Sequence, residues 1–130
     1  MSQEIILNDY AFLVSETDEK GIINFANDDF CKIAGYELEE IIGKHHNIVR
    51  HPDMPKNAFS ELWDTIKRAN IWTGYVKNKC KNGDYYWVYA TVYPFENCKG
   101  QKGYISCRRK ASREEIMTYE NKYQRMISDI

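Results

Sequence analysis

Residues 72–95 read WTGYVKNKC-KNG-DYYWVYATVYPF: two β-rich runs, Trp72–Cys80 and Asp84–Phe95, joined at Lys81-Asn82-Gly83. Asn-Gly between alternating apolar runs is a strong short-range hairpin signal, because Gly supplies the positive φ that reverses the chain. A third strand is expected over Gly103–Arg109, beyond the polar loop Asn97–Lys102. Within Tyr85–Tyr93, period-two alternation puts Val88, Ala90 and Val92 on one face and Tyr85, Trp87, Tyr89, Thr91 and Tyr93 on the other.

Upstream, Ala11–Glu16 and Ile22–Phe25 flank Asp18-Glu19-Lys20-Gly21 and predict another hairpin. Asn27 is placed to cap a helix whose first turn carries Asp28 and Asp29, both favourable at the positive end of the helix dipole. Phe30, Ile33 and Ala34 form its buried face, and Gly35 ends it. Glu37–Ile42 is a further short helical turn closed by Gly43. Pro55 suits the first turn of a longer helix, with Ala58, Phe59, Leu62, Trp63, Ile66 and Ala69 as its apolar stripe. Two strands, helices, then three sequential antiparallel strands describe an α+β domain: a five-stranded antiparallel sheet with helices on one face, plus a C-terminal helix. In that last segment Ile116, Tyr119, Tyr123, Met126 and Ile130 follow a heptad seam, which fits a coiled coil or a helix folded back on its own domain.

A length of 130 residues fits one domain with one core. Hydrophobic residues make up 43% and charged residues 28%, as in ordinary soluble proteins. Aromatics reach 14%, which suits a ring-shaped ligand, a broad partner surface or simply strand-rich structure. The 18 basic and 19 acidic residues leave a net charge of −1 with no concentrated basic footprint, so no nucleic-acid partner is expected. Nor is membrane insertion: no run approaches the length of a membrane helix, and Met1–Ile6 lacks the pattern of a signal peptide, so a cytoplasmic location is expected. Cys31, Cys80, Cys98 and Cys107 form no CxxC pair and are expected to be free thiols.

The chemistry concentrates at Asn47-Ile48-Val49-Arg50-His51-Pro52-Asp53-Met54-Pro55. Within four residues it places a fixed cation, a titratable imidazole and a carboxylate, stiffened by two prolines. Such a group suits a polar ligand that changes charge. It also suits a surface loop in which Asp53 pairs with Arg50 or caps the following helix. There is no nucleophile–base pairing at a recognisable motif, and an enzyme is not expected.

Arg50-His51-Pro52-Asp53-Met54-Pro55, followed by Trp72-Thr73-Gly74, Val76-Lys77-Asn78 and Lys81-Asn82-Gly83-Asp84, resembles the PAS domain of bacterial aerotaxis (energy-taxis) receptors. Ala26-Asn27-Asp28 with Phe30, and Gly35-Tyr36 before Leu38-Glu39-Glu40, match the same family, and the likeness covers about residues 11–115. It implies an N-terminal segment over 1–10, a PAS sensor over 11–111 and a signalling or linker helix over 112–130. It also implies FAD as cofactor, redox sensing as function and a chemoreceptor signalling protein or domain as partner. Asn27, Arg50, His51, Asp53, Phe59, Trp72 and Asn78 become the implied flavin contacts. Trp72 and Phe59 would pack on rings, and the amides of Asn78 and Asn27 would match a ring edge of paired donors and acceptors. Asp53 would orient His51 or bind ribose hydroxyls, and Arg50 would favour the reduced, anionic ligand.

Receptors of the family continue into a membrane anchor and a helical signalling domain. The 130 residues are therefore expected to be either a fragment or the stand-alone sensor of a two-protein system. No cysteine lies between Cys31 and Cys80, so a light-driven cysteinyl adduct is not expected. Alternatives are a haem site using His45, His46 or His51, or a ligand-free dimerisation module. The outward rings of 85–93 call for a cover: the N-terminal segment, the terminal helix, a second copy or a receptor domain.

Overall fold

The structure, a computed structural model, describes residues 2–128. Its elements are β1 (Phe12–Asp18), β2 (Ile23–Ala26), α1 (Asp28–Ala34), α2 (Leu38–Ile41), a 3-10 turn (His46–Val49), α3 (Lys56–Lys67), β3 (Trp72–Lys79), β4 (Tyr85–Glu96), β5 (Lys102–Lys110) and α4 (Arg113–Ser128). The five strands form one sheet in the order β2-β1-β5-β4-β3, every pairing antiparallel. This is the expected α+β architecture.

The Asn82-Gly83 hairpin forms, although as a longer loop than a two-residue turn. Cys80 N donates to the Asp84 carbonyl at 2.7 Å, and Asn82 Oδ1 accepts from Asp84 N at 2.9 Å. Gly83 alone in this loop has positive φ, at 96°. That is the loop class in which glycine takes the left-handed position after an ordinary turn.

Asn27 caps α1 as its sequence position predicts, accepting from Phe30 N at 3.0 Å. Helix α3 departs from expectation at its end. Ala69 lies outside the helix at φ 64° and is exposed, so it does not extend the apolar stripe. Its N–H donates to the Ile66 carbonyl, and Asn70 N donates to that of Thr65. These two bonds make a Schellman cap, with alanine where glycine is usual.

The inner face of the sheet carries Leu13, Ser15, Val76, Asn78, Tyr86, Val88, Ala90, Val92, Ser106 and Arg108, all buried. Helix α3 lies against this face, its contacts falling on β3 and β4. On the other face α4 folds back over β3 and β4. Tyr123 is stacked on Trp87 with ring centroids 6.2 Å apart and an interplanar angle of 13°, and its hydroxyl donates to the Tyr75 carbonyl at 2.6 Å. Tyr119 packs on Tyr75 at 4.3 Å between centroids. Ile116, Tyr119, Tyr123 and Met126 thus cover the sheet, and Ile130 lies outside the described residues. Beyond the end of β5, the N-terminal segment takes its place beside β4, with Ile5 N donating to the Tyr85 carbonyl at 2.7 Å.

Candidate functional site

Between the inner face of the sheet, the 3-10 turn and α3 lies a cavity of about 870 Å³. That volume is in the range of cofactor pockets. Its wall is apolar where Val49, Phe59, Leu62, Ile66, Trp72, Val76, Ala90 and Val92 meet, and its rim carries Lys20, Lys56, Lys67, His45 and Trp63.

Arg50, Phe59, Trp72 and Asn78 line this cavity; Asn27, His51 and Asp53 do not. The separation follows from how the 50–54 loop meets β3, which is an edge strand. Arg50 pairs with Asn78 in a single antiparallel bridge, and Met54 Sδ accepts from Lys77 N at 3.3 Å, so the loop lies along the strand. Arg50 falls on the cavity side, its guanidinium carbon 4.1 Å from the Phe59 ring centre. His51 and Asp53 fall on the other side, with Lys77 and Tyr85. Lys77 Nζ donates to Asp53 Oδ2 at 2.8 Å and sits 4.4 Å from the Tyr85 ring centre, and His51 packs edge-on against the same ring. His51 Nδ1 accepts from Asp53 N at 3.0 Å, so the imidazole orients the loop backbone. Burial, and then the Lys77 charge, hold the His51 pKa below its ordinary value, while the Lys77 hydrogen bond lowers that of Asp53.

Asn27 spends its amide on architecture. Its Oδ1 accepts from Val14 N and Phe30 N, and its Nδ2 donates to the Phe12 carbonyl at 2.8 Å. It pins α1 to β1, with its oxygen accepting twice and one of its two N–H groups committed to the backbone.

Trp72 and Asn78 are buried on the inner face of β3, and Trp72 Nε1 and Asn78 Nδ2 have no hydrogen-bond partner in the protein. The Trp72 indole lies over Gly74: a Cβ there would sit 2.5 Å from the ring. Glycine is needed at this point for close approach, and it lets the indole lie back against its own strand.

Sequence reasoning missed a polar floor. Arg108, inward on β5 and 3% exposed, donates through Nη2 to Ser15 Oγ at 3.0 Å and to His46 Nε2 at 2.6 Å. Its Nη1 has no partner in the protein. Burial pulls the guanidinium down to about 10, still a cation at neutral pH. Desolvation, reinforced by the Arg108 charge, pulls His46 down to about 3. His46 keeps some exposed area, but that side opens onto the cavity, so the imidazole is a neutral acceptor. Tyr86 adds a fully buried hydroxyl, also without a hydrogen-bond partner in the protein, whose pKa desolvation raises against the opposing pull of the Arg108 charge. Strand alternation from Tyr104 through Ser106 carried the signal for Arg108, but the run Arg108-Arg109-Lys110 reads at first sight as solvated charge.

No cysteine lines the cavity among the described residues. Nor do the described residues include a helix long and apolar enough to cross a membrane.

The sequence profile described as "PAS fold" matches residues 23–108. The aerotaxis receptor of Escherichia coli K12 is 46% identical over 122 residues, 94% of this chain and 24% of the receptor. The nitrogen fixation regulatory protein of Klebsiella pneumoniae is 27% identical over 100 residues, 76% of this chain and 20% of that protein. The chain thus spans about a quarter or less of the length of these curated relatives. Among solved structures, a light-oxygen-voltage domain studied with a flavin analogue aligns with a TM-score of 0.71 at 19% identity, covering 88% of this chain and 86% of that one. With the expected five-stranded antiparallel sheet, the inner-face cavity and a profile match over most of its length, the chain belongs to the PAS fold family.

Proposed function

We propose that this PAS domain holds FAD in the inner-face cavity and reports the redox state of that flavin to a chemoreceptor partner in cytoplasmic energy taxis, without turning over a substrate. One observation carries the reading: a cavity of about 870 Å³ whose wall holds three buried, unpartnered donors, Trp72 Nε1, Asn78 Nδ2 and Arg108 Nη1. Each buried donor without an acceptor is costly, so the ligand is expected to bring acceptors. A flavin ring fits that demand, with apolar faces for Phe59, Val76 and Val92 and an edge of carbonyl and ring-nitrogen acceptors. When bound, it supplies reversible electron uptake.

The rim supports the dinucleotide over the mononucleotide. Lys20 and Lys67 offer charge for a pyrophosphate, and Trp63, edge-on to Tyr104 at 5.7 Å, offers a surface for a second ring. The relative named aerotaxis receptor, 46% identical, supports the sensory role. Of the seven residues expected from sequence, Arg50, Phe59, Trp72 and Asn78 are proposed as contacts. His51 and Asp53 act by fixing the loop that carries Arg50, and Asn27 by fixing α1. Haem draws less support. His46 Nε2 already accepts from Arg108 and His45 Nδ1 from Asn47 N, while His51 stands outside the cavity.

The output path runs through β3. Asn78 faces the cavity, while Tyr75 on the same strand accepts the hydroxyl of Tyr123 on α4. Signalling therefore passes from ring to strand to helix, and then to the receptor. The visible spectrum of protein purified in the dark tests the cofactor. A two-banded yellow spectrum, with the released ligand running as FAD, is expected; a single intense Soret band points to haem. Colourless protein that takes up neither cofactor refutes the reading. Arg50→Ala is expected to weaken binding by about 1.5–3 kcal/mol if its contact is a charged hydrogen bond.

A further inference from the structure

Arg50 is the obvious cation of this site, yet it is half-buried at the mouth and stacked on Phe59. Water and salt screen such a charge. Arg108 is different. It is buried at the floor, and among the described residues none of the ion pairs involves it: those pairs use His51, Lys77, Lys81, Lys110 and Arg113. Its neighbours Ser15, His46 and Phe30 are neutral. A guanidinium held out of water without a carboxylate is costly, and proteins tolerate one where something else brings the negative charge.

Its geometry is also specified. Ser15 and His46 both accept from Nη2, which leaves Nη1 buried and free in a side chain that lines the cavity. Ser15 and His46 are positioning residues: a neutral imidazole presenting Nε2 as acceptor holds the fork without competing for its charge.

We propose that Arg108 is the counter-charge of the cavity: the buried cation that meets the negative charge a flavin ring gains on reduction, and so sets the potential of the domain. This rests on the flavin reading and adds to it which residue tunes the ligand. Because Arg108 is buried at the floor while Arg50 is only half-buried, its field is screened less and outweighs that of Arg50 at the mouth.

The test is a dye-equilibrated reductive titration of FAD-loaded protein, with urea unfolding of the same proteins freed of FAD. Arg108→Met is expected to weaken binding of reduced relative to oxidised flavin at least tenfold, which for a two-electron couple lowers the potential by about 30 mV. Arg108→Lys keeps the charge and stays near wild type, and Arg50→Ala shifts the potential less than Arg108→Met does. In FAD-free protein Arg108→Met is expected to unfold at the same or higher urea concentration. The unpaired cation is gone, and Ser15 Oγ, 3.1 Å from His46 Nε2, can donate to it instead.

An unchanged potential in Arg108→Met that still holds FAD overturns the proposal. If Arg108→Met does not fold, Arg108→Gln against Arg108→Lys decides it: equal potentials overturn the proposal, and a lower potential in Arg108→Gln sustains it. A wild-type protein that takes up no flavin refutes the flavin reading instead. The FAD-free comparison then stands alone: lower stability in Arg108→Met overturns the counter-charge assignment, and equal or higher stability keeps it for another anionic ligand.

Discussion

Tyr123 is the residue through which α4 holds the sheet, and removing it should free the helix without disturbing the cavity. The side chain is 7% exposed, stacks on Trp87 and donates to the Tyr75 carbonyl of the edge strand at 2.6 Å. Tyr123→Phe deletes one neutral hydrogen bond, worth about 1 kcal/mol, or roughly a fivefold rise in the opening constant of α4. Tyr123→Ala also deletes a buried ring, a loss of about 3–5 kcal/mol and so more than roughly a hundredfold. Hydrogen exchange followed by mass spectrometry reads this directly. Peptides from α4 should exchange faster in the order wild type, Phe, Ala, while β1 and β5 peptides change little. The absorption of the bound ligand should not move, because Tyr123 and the cavity lie on opposite faces of the sheet. Unaltered α4 exchange in Tyr123→Ala would refute the docking argument. Loss of ligand with α4 still protected would refute the assignment of faces.

Other perturbations follow from single observations. Ala69→Gly relieves a left-handed alanine in the Schellman cap of α3 and should raise stability by up to about 1 kcal/mol, seen as a higher urea midpoint. Gly74→Ala places a Cβ 2.5 Å from the Trp72 indole and should drive that ring into the cavity. The variant should fold, with wild-type circular dichroism, yet bind the ligand at least tenfold more weakly by fluorescence titration. His46 should impose an acid limit. Its folded pKa of about 3 lies below the unfolded 6.5, so between these values the unfolded chain binds a proton that the folded one refuses. Stability is then full above pH 6.5 and falls with decreasing pH by up to about 1.4 kcal/mol per unit. His51, also lowered, adds with the same sign. His46→Gln should flatten the dependence between pH 7 and 5, and an unchanged slope would assign it elsewhere.

Much of the fold was legible because its signals are local. The Asn82-Gly83 loop, the Asn27 cap and the alternation of β4 each depend on neighbours a few residues away, and the inward set Val88, Ala90 and Val92 lines or abuts the cavity as alternation requires. The end of α3 was less legible, because an alanine at C′ carries no glycine signal and reads as one more apolar position. The helix α4 could not be placed from its seam, since a heptad stripe fits a neighbouring helix or a sheet equally well. What decided it is non-local: the ring row Tyr75, Trp87 and Tyr89 waiting on the sheet.

The site was half legible for a related reason. Proximity in sequence made Arg50, His51 and Asp53 look like one constellation, but an extended loop beside an edge strand sends neighbours to opposite sides, and only Arg50 reaches the cavity. Asn27 has the right chemistry for a ligand, yet three backbone groups claim its amide first. Sheet register is the better guide. Ala90 pairs with Arg108 and Val92 with Ser106, while Ser106 pairs with Ser15. Those pairings carry one inward row from β4 across β5 to β1, and His46, arriving from the 3-10 turn, closes it through Arg108. Four segments far apart in the chain therefore build the floor. A motif search cannot find such a floor, but following alternation along each strand and then across the register can, and it leads to Arg108, a buried cation that no ion pair among the described residues neutralises.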